Sequence, residues 1–322
     1  MREDPLIEGE LLVFGGSASP RLTAAICDRL CVPVGQGEVI RFSEGTLFVR
    51  IGQNVRGRHV FLVQSTVYPA NDHFMEMLFW IDAFKRASAS SVTVLMPYFS
   101  YAKGDKKDEP RVSIRARVCA DVLEAAGADR FVGVDLHSPQ IQGFFRVPVD
   151  DLQARPTLCD AIVSEGLDDP VVVSPDEGFV KRATLFAERL GAPLAICHKR
   201  RRGHDERAEM VELIGDVKNR TCLVVDDVLI SGGTLVEVAE ALIDRGAADV
   251  IAAVTHGVLS GDAAKRLEAS PISRLYLTDT VENHPLDLPV SKKTRIVSVA
   301  PLLAEAIRRI HGRESISVLF RD

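Results

Sequence analysis

The sequence has 322 residues, of which 46% are hydrophobic and 26% are charged, so it can bury the cores of about two ordinary domains and is not a disordered chain. Its formal net charge of −6 excludes an overall positive field of the kind that recruits nucleic acid. The charged start of the chain lacks the apolar core of a signal peptide, and no apolar run is long enough to predict a membrane span. Its six cysteines form no C-x-x-C pair, which is typical of reduced thiols in a cytoplasmic protein rather than of disulfides or a zinc site.

Short apolar strands alternate with amphipathic helices along the chain. In the first half, strands are predicted at residues 11–15, 45–51, 59–64, 91–97 and 130–135, and helices at 19–30 (with Ser19 as its cap), 72–87 and 114–126. In the second half, helices are predicted at 158–165, 180–190, 235–242 and 301–312, and strands at 170–174, 193–197 and 223–225. This alternation predicts an α/β protein with parallel sheets that carry helices on both faces.

The chain also contains an internal echo. Residues 127–137 and 246–256 share one layout, in which a helix end is followed by a strand and a histidine. One echo at so long an interval favours duplication of a domain over a solenoid. We therefore predict an N-terminal domain at 1–152 and a C-terminal domain at 153–322. An alternative for the last helix is that it packs back on the N-terminal domain.

The first stretch that indicates a chemical function is 223–234. It consists of a strand, two carboxylates and a turn of small residues. Backbone N–H groups of Ser231, Gly232, Gly233 and Thr234 can converge at the start of the following helix, which predicts a phosphate site. The carboxylates of Asp226 and Asp227, just before the turn, are acceptors suited to a diol. A phosphate beside a diol indicates ribose 5-phosphate or a compound built on it, whereas the alternative is an ordinary glycine turn with two solvated carboxylates.

This stretch resembles the ribose-phosphate loop of phosphoribosyltransferases and of phosphoribosyl pyrophosphate (PRPP) synthetases, except that Ile230 stands at the third acid of that pattern. Residues 135–150 resemble the signature segment of the PRPP synthetases, and the likeness extends over about residues 11–320. It implies two similar phosphoribosyltransferase-type domains, with the ATP side in the N-terminal domain and the ribose 5-phosphate side in the C-terminal one.

Two residues are expected from this resemblance to hold Mg²⁺. His137 takes the role of the family's histidine, and Asp176 lies in the loop that grips pyrophosphate, where Phe179 replaces a second glycine. A carboxylate at a strand end also suits a divalent cation that keeps some of its waters. From the residues alone, His137 could instead be a buried core histidine and Asp176 a plain helix cap.

A basic cluster at 198–204 stands out in this acidic protein. It can neutralise charge on a polyphosphate transition state, and the resemblance places the essential lysine and arginine of a catalytic loop on Lys199 and Arg201. The alternatives are a solvated surface loop and, less favoured, a nucleic-acid patch.

Two further stretches, 41–46 and 101–107, correspond to those that bind ATP in PRPP synthetases. The resemblance assigns adenine packing to Phe42, reading of its edge to Glu44 and Thr46, and other nucleotide contacts to Lys103 and Asp105. Gly104 replaces a glutamine there, and Lys103 replaces an arginine, whose planar fork lysine lacks. In the same way a phosphate and ADP regulatory site is implied at Arg56, Ser315 and Ser317.

The reaction implied by the resemblance is transfer of pyrophosphate from ATP to the anomeric hydroxyl of ribose 5-phosphate, with Mg²⁺, in a cytoplasmic homo-oligomer built from dimers into a hexamer. No nucleic-acid or membrane partner is expected. Two rivals remain, because Thr46, Gly104, Phe179 and Ile230 depart together from the family pattern. One is a catalytically impaired regulatory subunit of a PRPP synthetase, and the other is a homologue that uses a different nucleoside triphosphate.

Overall fold

The structure is a computed structural model that describes residues 11–200, 210–282 and 292–320, without the side chains of residues 199, 200, 210 and 211. It divides into two compact units. Unit 1 contains residues 11–153 together with 280–282 and 298–320, and unit 2 contains residues 154–200, 210–279 and 292–297. The chain therefore returns to unit 1 after most of unit 2 has been formed.

Unit 1 is built on a five-stranded parallel sheet of order β1-β4-β5-β6-β7, with a separate antiparallel hairpin of β2 and β3. The strands are β1 (Leu11–Gly15), β2 (Gly37–Arg41), β3 (Leu47–Ile51), β4 (His59–Val63), β5 (Ser91–Met96), β6 (Arg130–Val134) and β7 (Val149–Leu152). Its helices are α1 (Pro20–Leu30), α2 (Ala70–Arg86), α3 (Arg115–Ala126) and, from the end of the chain, α8 (Ala300–His311), which packs on α1.

Unit 2 is built on a seven-stranded sheet of order β10-β9-β8-β11-β12-β13-β14, in which only the β9–β10 pair is antiparallel among the described strands. The strands are β8 (Pro170–Ser174), β9 (Leu194–Arg200), β10 (Met210–Ile214), β11 (Thr221–Leu229), β12 (Asp249–Gly257), β13 (Arg274–Thr278) and β14 (Thr294–Val297). The helices are α4 (Arg155–Ser164), α5 (Val180–Leu190), α6 (Gly233–Asp244) and α7 (Ala263–Ala269).

The central strands of both sheets are continuous apolar runs because helices cover both faces of a parallel sheet. Residues 60–63 of β4 and 222–225 of β11 are buried throughout. In unit 1 an aromatic group joins the sheet to α2, with ring centroids of Phe14 and Phe84 4.7 Å apart and those of Trp80 and Phe84 5.4 Å apart. The prediction of an α/β protein with mainly parallel sheets flanked by helices is confirmed.

The N-terminus of α1 is capped from a distant part of the chain. Ser19 precedes the helix as predicted, but its hydroxyl accepts the N–H of Ser65 at 3.0 Å instead of capping α1. The buried carboxylate of Glu282 accepts the N–H of Arg21 at 2.9 Å and also that of Leu22, and the guanidinium of Arg21 donates to the Glu282 carbonyl at 3.0 Å. Ser19 therefore takes the predicted N-cap position, but the Glu282 carboxylate, and not the serine hydroxyl, satisfies these amides.

None of the helices in the described parts of the chain combines the length and apolarity of a membrane span. All six cysteines are free thiols, and five of them are buried. Burial raises the pKa of the Cys27 and Cys222 thiols to about 12, which suits unreactive packing residues.

Candidate functional site

The strand order of unit 2 creates a switch point between β8 and β11. From β8 the chain continues to β9 on one side, and from β11 it continues to β12 on the other. Open α/β sheets bind ligands in the crevice outside the carboxyl ends of strands at such a point. The two turns that leave these ends, at 175–179 and 230–232, contain the residues expected to bind pyrophosphate and ribose phosphate.

The turn after β11 has the geometry of an anion site. Gly232 has a φ of +77°, a left-handed conformation that glycine adopts without strain, and it leads directly into α6 at Gly233. Among the described residues no side chain caps this helix, so its first N–H groups are not used by a cap. Ser231 and Thr234 are exposed beside them. Such a helix N-terminus favours a phosphate.

The two carboxylates of this loop lie inside β11, which extends to Leu229 because it pairs with β12 as far as Gly257. The prediction that the strand ends at residue 225 is therefore wrong. Asp227 is buried and its N–H donates to Asp226 Oδ1 at 2.8 Å, whereas Asp226 is half-buried. Arg182 Nη1 lies 3.3 Å from Asp227 Oδ2 and supplies a cation beside this buried carboxylate.

Ile230 fixes the loop through its main chain. Its carbonyl accepts the N–H of Ser260 at 2.8 Å and is 3.4 Å from the Ser260 hydroxyl, so the segment after β12 holds the start of the turn. The apolar side chain at this position is 36% exposed. The Ile230 side chain is uncharged, whereas the ribose-phosphate loop pattern has an acidic residue at this position.

In the turn after β8, Asp176 accepts a backbone hydrogen bond. Its Oδ1 accepts the N–H of Phe179 at 3.0 Å, just before α5 begins at Val180. This bond closes the turn before α5, whose N-cap position is Phe179, and no side chain of the described residues caps the helix; the Asp176 carboxylate is exposed. Phe179 has a φ of −94°, so this position does not need glycine, and its side chain is buried.

The basic cluster begins within a strand and not in a loop, because β9 continues through Arg200 and pairs with β10. The prediction that this strand ends at residue 197 is wrong. Lys199 opposes Val211 in that antiparallel pair, while Arg201 lies outside the described residues. Nδ1 of the half-buried His198 in β9 lies 2.7 Å from Oε1 of Glu177 in the turn after β8, a contact that sequence reasoning missed.

The residues expected to bind nucleotide lie in unit 1. Phe42, Glu44 and Thr46 are exposed in the turn of the β2–β3 hairpin, and Phe42 is 44% exposed. The Thr46 hydroxyl donates to Glu44 Oε1 at 2.7 Å, and this hydrogen bond lowers the pKa of the Glu44 carboxyl. An exposed ring beside polar acceptors is an arrangement that a base can stack on.

The second expected nucleotide stretch packs against the start of α3. Lys103 is exposed, Asp105 is half-buried and Gly104 between them is buried. A Cβ at Gly104 would lie 2.6 Å from Arg115 Nε, so Arg115 occupies the space beside this glycine. The glycine is therefore explained by close packing.

His137 is exposed after β6, so the interpretation as a buried core histidine is wrong. The chain before it is held by β7, since the N–H of Leu136 donates to Asp151 Oδ1 at 2.9 Å. The histidine of the internal echo behaves differently, because His256 lies within β12 and is 4% exposed. Of the two histidines of the echo, His137 is exposed and His256 is buried.

The expected regulatory residues are all exposed in unit 1. The Arg56 N–H donates to Asn54 Oδ1 at 3.0 Å. The Ser315 hydroxyl accepts the N–H of Ser317 at 3.2 Å, and Arg309 Nη1 donates to the Ser315 carbonyl at 2.9 Å. The main chain around the two serines is thus ordered by local bonds.

Within 11–200, 210–282 and 292–320, no group of three or more His, Cys, Asp and Glu side chains forms a metal cluster. Mg²⁺ is usually held by one or two carboxylates together with substrate phosphates and water. The exposed carboxylate of Asp176 fits that pattern of few protein ligands, whereas His137, also exposed, is assigned to the ion by the family resemblance alone.

Comparison with known proteins agrees with this geometry. Residues 11–127 match the model of the N-terminal domain of ribose phosphate pyrophosphokinase, and residues 204–321 match that of the phosphoribosyl synthetase-associated domain. A ribose-phosphate pyrophosphokinase of Caldanaerobacter subterraneus is 49% identical over 96% of this chain and 98% of its own length. One of Clostridium tetani is 46% identical over 96% and 97%.

A solved structure is also similar. The crystal structure of phosphoribosylpyrophosphate synthetase from Mycobacterium smegmatis superposes with a TM-score of 0.89 at 40% identity, over 94% of this chain and 99% of that one. The parallel sheets and the strand–turn–helix anion loop define an enzyme with phosphoribosyltransferase-type domains. The chain belongs to the ribose-phosphate pyrophosphokinase family.

Proposed function

We propose that this enzyme transfers pyrophosphate from ATP to ribose 5-phosphate, giving PRPP and AMP. The observation that carries the proposal is the loop from β11 to α6, where two carboxylates in the strand precede an uncapped helix N-terminus entered through left-handed Gly232. This arrangement offers a phosphate site beside diol acceptors within one turn. The proposal is also supported by the similarity of nearly the whole chain to proteins named ribose-phosphate pyrophosphokinase.

The reaction joins two substrates at one phosphorus. The anomeric hydroxyl of ribose 5-phosphate attacks the β-phosphorus, and a new oxygen–phosphorus bond forms as the bond from the β-phosphorus to the α,β-bridging oxygen breaks. AMP leaves with the bridging oxygen, and the proton of the hydroxyl is released to the solvent. Positioning and cations provide nearly all of the catalysis in such transfers, without a covalent intermediate.

Each group of residues has a proposed part in this reaction. In unit 2 the ribose phosphate is held by Asp226, Asp227 and residues 231–234, and the charge that develops on the transferred group is stabilised by Lys199 and Arg201. In unit 1 the base packs on Phe42 and is read by Glu44 and Thr46, while Lys103 and Asp105 contact the rest of the nucleotide. The exposed positions of the unit 1 residues, apart from half-buried Asp105, support this assignment.

Mg²⁺ is proposed as the cofactor, contacted by His137 and by Asp176. When bound, the ion neutralises charge on the nucleotide phosphates. The chain's own contribution is to present these side chains: the Asp176 carboxylate is oriented by the Phe179 N–H, and Leu136, next to His137, is anchored to Asp151.

Regulation by phosphate and ADP is proposed at Arg56, Ser315 and Ser317. A homo-oligomer assembled from dimers is also proposed. Exposed apolar side chains at helical spacing support it, with Met75 and Phe79 on α2 and Val118 and Val122 on α3. The free, mostly buried thiols support a cytoplasmic location.

The decisive experiment supplies the purified protein with Mg²⁺, ribose 5-phosphate, phosphate and, in turn, ATP, CTP, GTP or UTP. Formation of PRPP and AMP with ATP is the expected result. Turnover with another triphosphate alone would reassign the donor. If folded protein forms no PRPP with any of the four triphosphates, the result would contradict the proposal and favour a regulatory subunit.

A further inference from the structure

Arg182 joins the two turns at the switch point of unit 2. It lies in the first turn of α5, which follows the β8 turn, and its Nη1 is 3.3 Å from Oδ2 of Asp227 in β11. The Asp227 side chain is only 8% exposed and that of Arg182 is 25% exposed. Burying a carboxylate without a cation costs free energy of folding. The Arg182 guanidinium therefore stabilises the buried Asp227 carboxylate, and with it the end of β11 just before the 230–232 turn.

The guanidinium of Arg182 is itself supported by an aromatic ring. Its Cζ lies 5.7 Å from the centroid of the Phe179 ring, within the range of a cation–π contact. Phe179 is 8% exposed, so the ring is held in place by its packing, and its N–H donates to Asp176. A continuous chain of contacts therefore runs from Asp176 through Phe179 and Arg182 to Asp227.

We infer that Arg182 is a positioning residue for ribose 5-phosphate binding, and that Phe179 is the platform that keeps its guanidinium aimed at Asp227. This inference rests on the proposed function, which makes Asp227 an acceptor for the ribose. The ion pair helps to orient that carboxylate before the sugar arrives. Preorganisation of this kind increases affinity because less freedom is lost on binding.

The same contacts account for the side chains at positions 182 and 179. Arginine, unlike lysine, has a planar group that can stack on a ring and present an N–H to a carboxylate at the same time. Phenylalanine at position 179 causes no backbone strain, since its φ of −94° is ordinary for any residue. The replacement of a glycine at this position thus adds a support for Arg182 without straining the turn.

The same helix provides a matched control. Arg189, at the far end of α5, forms an ion pair with Asp160 at 2.7 Å, in which the Asp160 side chain is 70% exposed. This pair has the same chemistry as the Arg182–Asp227 pair but contacts neither turn of the switch point. Because Asp160 is far more exposed than Asp227, this pair controls for loss of an arginine charge on α5, whereas Arg182→Lys controls for loss of the buried partner.

The test is a double-mutant cycle on the full-length protein, using Arg182→Met, Asp227→Asn and the two together. Ribose 5-phosphate binding is measured by calorimetry, and KM for each substrate and kcat are measured by steady-state kinetics. Arg182→Lys, Phe179→Leu and Arg189→Met complete the set, and thermal unfolding identifies any variant that does not fold.

We expect Arg182→Met to weaken ribose 5-phosphate binding about tenfold, as loss of a partner that orients a binding group commonly does, with little change in KM for the triphosphate. The double variant should bind no worse than Asp227→Asn alone. Phe179→Leu, which keeps an apolar side chain but lacks the aromatic face, should weaken binding about threefold. Arg182→Lys should recover part of the loss, and Arg189→Met should match the wild type.

Additive losses in the cycle, equal effects on both substrates, or an effect of Arg189→Met as large as that of Arg182→Met would each overturn the inference. If Arg182→Met does not fold, Arg182→Lys and Phe179→Leu decide the question by the same selective effect on ribose 5-phosphate. A wild type that binds ribose 5-phosphate but makes no PRPP would refute the proposed function. In that case the double-mutant cycle on ribose 5-phosphate binding would still test whether Arg182 is a positioning residue. A wild type that does not bind ribose 5-phosphate would overturn both.

Discussion

Arg115 Nε lies 2.6 Å from the point where Gly104 would carry a Cβ, and the Cβ of Arg115 lies 2.9 Å from it. The first turn of α3 is docked on this segment, since the N–H of Ala116 donates to the Gly104 carbonyl at 3.1 Å. A side chain at residue 104 and the observed position of Arg115 therefore exclude one another. The glycine here is required by its neighbour.

Gly104→Ala should consequently destabilise the protein. Because the base of the Arg115 side chain cannot move as freely as its end, the added methyl group forces a shift of α3, at a cost of roughly 1–3 kcal/mol. The free energy of unfolding from denaturant titration measures this cost. Gly104→Ala combined with Arg115→Gly, which removes the Cβ as well as Nε, should lose less stability than the sum of the two single variants, and strictly additive losses would contradict the packing argument.

Lys199→Ala should abolish turnover while sparing substrate binding. The lysine is proposed to stabilise charge that develops only in the transition state, so we expect kcat to fall about 10³-fold and ribose 5-phosphate affinity to change little. Lys218→Ala, on an exposed residue of the same unit, serves as the control. Equal losses of binding and turnover in the Lys199 variant would remove this residue from its proposed catalytic role.

Phe42→Ala should weaken donor binding and leave ribose 5-phosphate binding intact. The ring is 44% exposed in the hairpin turn, and stacking of a base on an aromatic ring contributes about 1–3 kcal/mol. An increase of at least about fivefold in KM for ATP is expected. Ile40→Ala, on the 36% exposed residue of the neighbouring strand, should leave KM for ATP near the wild-type value. An unchanged KM in the Phe42 variant would show that the base binds elsewhere.

The stability difference between the wild type and Glu282→Gln should depend on pH. Burial raises the pKa of the Glu282 carboxyl above its ordinary 4.5, although the N–H groups of Leu22 and Arg21 act in the opposite direction. A carboxyl with a higher pKa in the folded protein binds protons more tightly there. Its stabilising contribution is complete below the unfolded pKa and is lost as the pH rises through the folded pKa.

Thermal unfolding of both proteins between pH 4.5 and neutrality measures this dependence. The Tm of the wild type minus that of Glu282→Gln should decrease as the pH rises, because the glutamine carries no titrating proton. A difference that stays constant, or that grows with pH, would show that Glu282 does not bind its proton more tightly in the folded state.

The fold was predictable from the sequence where elements are long and apolar. The helix at 180–190 and the strand at 170–174 have the predicted bounds because their burial patterns are regular. Elements without such patterns were missed: β2 is largely exposed, β14 is a four-residue edge strand, and α7 has seven residues. Short edge elements carry little periodicity, so their sequence does not distinguish them from loops.

The candidate site was predictable as a set of motifs but not as a set of contacts. The turn at 230–232 could be placed at a strand end from its glycines, and the exposure of His137 agrees with a binding role. The Arg182–Asp227 pair joins residues 45 positions apart, and nothing local in the sequence indicates which carboxylate an arginine will meet. The end of β11 was misplaced for a related reason, because pairing with β12 overrides the low strand preference of two aspartates.

Glu282 contacts Leu22 across 260 residues of chain, and α8 joins α1 from still further along. On the ribosome, the first strands of unit 1 therefore emerge well before the carboxylate that satisfies α1. At roughly 5–20 residues per second, the nascent α1 waits on the order of ten seconds or more for it. Unit 1 is therefore started before unit 2 during translation and completed after it, because the first amides of α1 stay unsatisfied until a carboxylate made 260 residues later reaches them.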